Sequence, residues 1–130
     1  MSPIHPIDFS QPDIIARLQQ CSVEELDALE FGVIGFDDQT IVRTYNAFEA
    51  KMAGLSAERV VGAALFNTVA QCMNNFMVAQ RFEDAAEAGE SLDAELDYVF
   101  TLRMRPSKVR LRLVAVPGAA LRYVLVNRRL

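Results

Sequence analysis

The 130-residue sequence has one histidine, two cysteines and no acidic residue after Asp97, and each scarcity removes a class of function. His5, alone near the start, leaves no material for a histidine-based metal site or a catalytic triad. Cys21 and Cys72 match neither metal-ligand spacing nor a disulfide framework. No nucleophile–base pair and no glycine-rich phosphate loop is visible, so the expectation is that the chain is not an enzyme. No apolar run approaches the ~20 residues of a membrane span. The opening MSPIHPIDFSQPD lacks a basic stretch followed by an apolar one. A cytoplasmic protein without membrane attachment is therefore expected. Internal repeats and low-complexity segments are also missing.

What is present is a globular composition, 52% hydrophobic and 23% charged, in a length that suits one domain with its own core. The net charge of −4 hides an asymmetry. Residues 1–97 hold all 17 acidic groups and five basic ones, whereas residues 98–130 hold eight basic groups and no acid. A basic tail can signal nucleic acid. Here Lys108, Arg110 and Arg112 alternate with apolar residues, which fits the wet face of a strand. Pairing across strands with Asp93, Glu95 and Asp97 accounts for them without a nucleic-acid partner.

In chain order, a proline-bearing arm leads through Ser10 and Pro12 into a short helix, DIIARLQQ. Ser22-x-x-Glu25 is a capping box that opens a second helix. Phe31–Phe36 and Ile41–Tyr45 read as a hairpin around the turn 37–40. Short helices follow the Asn46 and Ser56 caps and surround Leu65–Val69. A longer helix is expected from about Asn75 to Ala88, with Phe76, Ala79, Phe82 and Ala86 as its apolar stripe and Gly89 as its terminator. From Leu92 the period switches to two and continues through Met104. Strands Val109–Val116 and Leu121–Asn127 complete an antiparallel meander around Pro117-Gly118.

Cap helices, two strands, several helices and three strands are the layout of a PAS domain. The fold class is α+β: a five-stranded antiparallel sheet with flanking helices, comprising a helical N-terminal cap (1–30) and a PAS core (31–130).

The chemistry-bearing stretch is Tyr45–Cys72. It holds a phenol, a carboxyl four residues on at Glu49, and a thiol after the apolar run Leu65, Phe66, Val69, Ala70. Each has an ordinary structural explanation: Asn46-x-x-Glu49 has capping-box spacing, Tyr45 sits at a strand end, and Cys72 suits a buried inert thiol. A helix cap and a pocket ligand are incompatible roles for one Glu49 carboxyl.

The combination FG at 31–32, Tyr45-Asn46, Glu49, Gly54, Gly62, Phe66, VAxC at 69–72, Phe82, Tyr98-x-Phe100 and MxPxKV at 104–109 resembles the photoactive yellow proteins. The resemblance runs from about Phe31 to Arg128. It implies a blue-light photoreceptor carrying p-coumaric (4-hydroxycinnamic) acid as a thioester on Cys72. Tyr45 and Glu49 would hold the phenolic oxygen, and Ile34, Val69, Ala70, Phe100 and Met104 would line the pocket. Light-driven trans-to-cis isomerisation and proton transfer from Glu49 would give a signalling state read by an unidentified downstream signalling protein. The chain would act as a monomer or weak homodimer. The alternative is a non-photoactive PAS module that binds another ligand or a protein. Several residues depart from the family pattern. Leu55 stands where an arginine is usual, Ala53 where threonine is frequent, Gln71 for proline and Met73 for threonine, with Leu102 in place of a tyrosine. Loss of the arginine and threonine is expected to disfavour a buried phenolate.

Overall fold

The computed structural model describes residues 7–101 and 106–128. Two short helices come first, α1 (Ile14–Gln20) and α2 (Val23–Asp27), then strands β1 (Gly32–Phe36) and β2 (Val42–Tyr45). Helices α3 (Ala47–Ala53) and α4 (Ala57–Val60) lead to a π-helical turn at Leu65–Val69 and a 3₁₀ turn at Gln71–Met73. Helix α5 (Ala79–Ala88) precedes strands β3 (Leu92–Phe100), β4 (Ser107–Ala115) and β5 (Arg122–Asn127). The strands form one antiparallel sheet in the order β2-β1-β5-β4-β3, so the chain's first strand lies beside its last. This is the PAS arrangement.

Strand parity divides the interior in two. Ile34, Phe36, Leu111, Leu113, Val124 and Val126 face the helices after β2 and form the main core with Phe66, Met73 and Phe82. Phe82 of α5 meets Phe36 edge-on at 4.9 Å between ring centroids. Val33, Val114, Tyr123 and Leu125 face the other way, against Phe9, Ile14, Leu18 and Leu26 of the N-terminal segment. Covering both faces explains why all five residues of β1 are buried.

The Ser22 capping box closes in both directions: Glu25 N–H donates to Ser22 Oγ, and Ser22 N–H donates to Glu25 Oε1, each at 3.1 Å. Gly89 terminates α5 in the left-handed region, with φ 66°. The start of α5 differs from the expectation drawn at Asn75. There the Asn75 Oδ1 accepts from Met77 and Val78 N–H, and this local side-chain turn competes with helix. The helix begins only at Ala79, and Phe76 is 79% exposed rather than part of the apolar stripe.

The β3–β4 register sets Asp97 opposite Arg110, and their side chains pair at 3.1 Å. Arg112 corrects the expectation of a wet strand face, because it is 4% exposed. Its guanidinium reaches Asp93 with two bonds of 2.8 Å. It also donates to the Phe9 and Gln11 carbonyls at 2.9 and 2.7 Å, about a hundred residues away in sequence. Arg112 therefore clasps the N-terminal segment to the sheet. Arg112→Met keeps the apolar stem but orphans both carbonyls. It should destabilise the protein by about 2–4 kcal/mol, since bonds from a charged donor contribute about 1.5–3 kcal/mol each. Denaturant titration measures the loss, and limited proteolysis should cut first within the N-terminal segment.

Candidate functional site

Tyr45 ends β2 opposite Ile34 and is 7% exposed. The chain then turns at once into α3, because Asn46 Oδ1 accepts from Glu49 N–H at 3.2 Å. That is half of a capping box. The other half is not made, since Asn46 N–H donates instead to the Val33 carbonyl at 3.1 Å. The two roles open to Glu49 are thereby resolved: its backbone serves the cap and its carboxyl points inward. Asn46 does more than cap. Its Oδ1 also accepts from Val33 N–H, and its Nδ2 donates to the Leu26 and Phe31 carbonyls.

Glu49 is 2% exposed and lies against β1 at Gly32. A Cβ at Gly32 would overlap Glu49 Oε1, so glycine is the residue that lets the carboxyl lie flat on the strand. Gly32→Ala must displace the Glu49 side chain or the α3 backbone. It should cost about 1–3 kcal/mol of stability, and thermal unfolding of the variant against wild type measures it.

The Glu49 carboxyl has one partner on one side. Arg128 Nη2 donates to Oε2 at 2.7 Å, whereas Oε1 is buried with no hydrogen-bond partner among the described residues. Arg128 follows β5, its side chain is 12% exposed, and its guanidinium carbon lies 5.3 Å from the Phe100 ring centroid. Its Nε is likewise buried and without a partner among the described residues. Burial pushes the Glu49 carboxyl above its usual range, against the pull of Arg128. Burial also raises the Tyr45 phenol; the Glu49 charge adds to this and Arg128 opposes it. The phenol, the carboxyl and the guanidinium thus share one electrostatic site.

Arg128 was not among the residues singled out from the sequence. A period-2 count along β5 would have found it, because Val124 and Val126 face the main core and residue 128 shares their parity.

Cys72 belongs to the 3₁₀ turn and is partly buried against the main core. Burial raises its thiol pKa, opposed by the backbone N–H groups of Thr101 and Cys72 itself. Its carbonyl is pinned twice, by the Tyr98 hydroxyl and by Asn75 Nδ2, which also donates to the Tyr98 oxygen at 2.7 Å. A carbonyl fixed by two donors holds the cysteine backbone in one orientation. Cys21 lies at the edge of the other core, across the sheet.

Ile34, Tyr45, Ala70 and Phe100 are all buried in the main core, and Val69 packs against it as Cys72 does. Met104 lies outside the described residues, as does Leu102. Leu55 packs partly buried against the same core and brings no charge to it, while Met73 is fully buried within it. Among the described residues, no cluster of histidine, cysteine and carboxylate side chains could hold a metal ion. Nor, among those residues, is any helix long and apolar enough to cross a membrane.

Against known proteins, no family model matches the chain. Individual relatives do. A photoactive yellow protein from Rhodothalassium salexigens is 32% identical over 107 residues, which is 82% of this chain and 85% of that relative. The photoactive yellow protein domain of the sensor histidine kinase Ppr from Rhodospirillum centenum superposes with a TM-score of 0.79 at 31% identity, covering 86% of this chain and 97% of that domain. The PAS domain of an HTR-like protein from Haloarcula marismortui, at a TM-score of 0.56 and 12% identity over 91% of this chain and 98% of that one, shares the fold alone. Level of identity, coverage and sheet order agree: the chain belongs to the photoactive yellow protein family.

Proposed function

We propose that this chain is a blue-light sensor with p-coumaric acid thioester-linked to Cys72, and that it acts as a cytoplasmic sensory module rather than an enzyme. The observation that carries the reading is the carboxyl of Glu49, buried beside Tyr45 with Oε1 unpartnered among the described residues, in a core that Cys72 also borders. A buried polar atom without a partner costs free energy, so such an atom marks a place where a ligand's polar group fits.

The residues fit the group. Glu49 and Tyr45 offer hydrogen bonds to a phenolic oxygen, and Phe100, Ile34, Ala70 and Val69 supply an apolar, aromatic wall for the ring. Met104 would complete that wall. Attachment forms the bond from Cys72 Sγ to the acyl carbon, breaks that carbon's bond to its activating leaving group, and passes the thiol proton to the leaving group. Once attached, the chromophore supplies visible absorption and a light-driven trans-to-cis change about its vinyl bond. Glu49 holds its proton in the dark, favoured by burial. It releases that proton toward the phenolic oxygen after light, and the altered charges and hydrogen bonds of the two oxygens strain the surrounding packing. Loosening of the N-terminal segment held by Arg112 relieves the strain and alters the surface presented to a downstream protein.

The test is to treat the purified chain with an activated ester of 4-hydroxycinnamic acid and record its mass and visible spectrum. One coumaroyl group on Cys72 with a yellow absorption band supports the reading. An unmodified mass with a colourless product overturns it in favour of a PAS module that takes another ligand or binds a protein.

A further inference from the structure

We propose that Arg128 is the counter-ion of the pocket: paired with Glu49 in the unloaded chain, its guanidinium receives the ligand's phenolic oxygen in the loaded one. This rests on the chromophore reading above and adds the group that sets the charge of the bound ligand.

Two buried atoms of the site that have no partner among the described residues belong to the same ion pair. Among those residues, Glu49 Oε1 is an acceptor without a donor and Arg128 Nε is a donor without an acceptor. Both lie under cover, Glu49 at 2% exposure and the Arg128 side chain at 12%. A single group that both accepts and donates satisfies them together, and a hydroxyl is the smallest such group. A phenol is the hydroxyl that also presents a flat ring to Phe100, over which the guanidinium already lies at 5.3 Å. A ligand ending in a carboxylate would bring a second negative charge to Glu49. One ending in an ammonium would bring a second positive charge to Arg128. The pair therefore selects a neutral, acidic hydroxyl.

Charge conservation then sets the chemistry. Glu49 as carboxylate, Arg128 as guanidinium and a neutral phenol sum to zero. Moving one proton from the phenol to Glu49 leaves a phenolate, a guanidinium and a neutral carboxyl, which also sum to zero. Neither form buries a net charge, so the proton passes between the two oxygens without the desolvation penalty of an isolated ion. Leu55, apolar and partly buried against the same core, supplies nothing of the kind. Among the described residues, the titratable and charged groups that interact at this site are Tyr45 from β2, Glu49 from α3 and Arg128 after β5. Cys72 and Tyr98 belong to the same core.

Two measurements test this, one without ligand. In the unloaded protein, infrared spectroscopy across pH reads the protonated carboxyl band of Glu49, identified by its loss in Glu49→Gln. Arg128→Gln should move the midpoint of that band to higher pH, and Arg128→Lys should move it less. In the protein acylated at Cys72, an absorption titration follows the yellow, ionised form. Its midpoint should rise by about one to two pH units in Arg128→Gln, a ten- to hundredfold weaker ionisation. Arg128→Lys should recover part of the shift, because lysine keeps the charge and loses only the planar fork. Equal midpoints in all three proteins would overturn the counter-ion role while leaving the chromophore reading intact. An unchanged carboxyl midpoint in the unloaded Arg128→Gln protein would overturn the pairing itself. If wild type takes up no coumaroyl group at Cys72, the chromophore reading falls, and the role of Arg128 toward a ligand falls with it.

Discussion

Cys72→Ala is expected to abolish covalent loading completely while leaving the fold and its stability nearly unchanged. The thiol is partly buried, and the groups that fix its backbone, Tyr98 and Asn75, hold the Cys72 carbonyl rather than its sulfur. Alanine keeps that carbonyl and removes one sulfur, which costs about 1 kcal/mol at a half-exposed position. Cys21 offers no alternative, since it lies at the edge of the core on the other side of the sheet. After treatment with the activated ester, the variant's mass should be unchanged and its visible spectrum empty, while its thermal transition should lie within a few degrees of wild type. A coumaroylated, yellow Cys72→Ala protein would exclude this cysteine as the attachment point.

Asn46→Ala is expected to be the most damaging single substitution for stability. Asn46 is 2% exposed, and its side chain accepts from Val33 and Glu49 N–H and donates to the Leu26 and Phe31 carbonyls. It therefore joins the end of α2, the entry to β1 and the first turn of α3. Alanine leaves two donors and two acceptors in the interior, at a cost of about 1–3 kcal/mol for each buried group that water does not reach. A total of about 3–5 kcal/mol is a large share of the stability of a small domain. The melting temperature should fall by on the order of 15 °C. Asn46→Asp retains the acceptor and loses both donors, so it should fall between alanine and wild type. A change below about 1 kcal/mol in the alanine variant would mean that the four bonds contribute little beyond an ordinary N-cap.

The sheet was legible in the sequence through different signals in different strands. Leu92 to Phe100 alternates covered with exposed positions, a period of two that helices cannot mimic. Leu111 to Ala115 and Tyr123 to Val126 are covered on both faces and show as short, mainly apolar runs on either side of the Pro117-Gly118 turn. Local signals also held where no distant group intervenes, as at the Ser22 box and the Gly89 terminator. They were misleading where a remote partner takes over the same side chain. Asn46 and Glu49 have the spacing of a closed capping box, yet Arg128, 79 residues away, draws the carboxyl inward. Arg112 has the parity of an exposed strand residue, and only the return of the N-terminal segment over the sheet buries it. Asn75 has helical neighbours, but Cys72 and Tyr98 occupy its amide and its oxygen turns the chain. At the candidate site, spacing alone left Tyr45, Glu49 and Cys72 as three ordinary residues. Family resemblance linked them, and neither spacing nor resemblance pointed to Arg128. Its signal was parity along β5, where Val124 and Val126 precede it on the core-facing side.

The most direct test is a light-minus-dark infrared difference spectrum of the coumaroylated protein under blue illumination. Proton release from Glu49 predicts a negative band from a protonated carboxyl, present in wild type, absent in Glu49→Gln and reversed as the protein recovers in the dark. A spectrum with no carboxyl band, or one in which the band persists in Glu49→Gln, would contradict it.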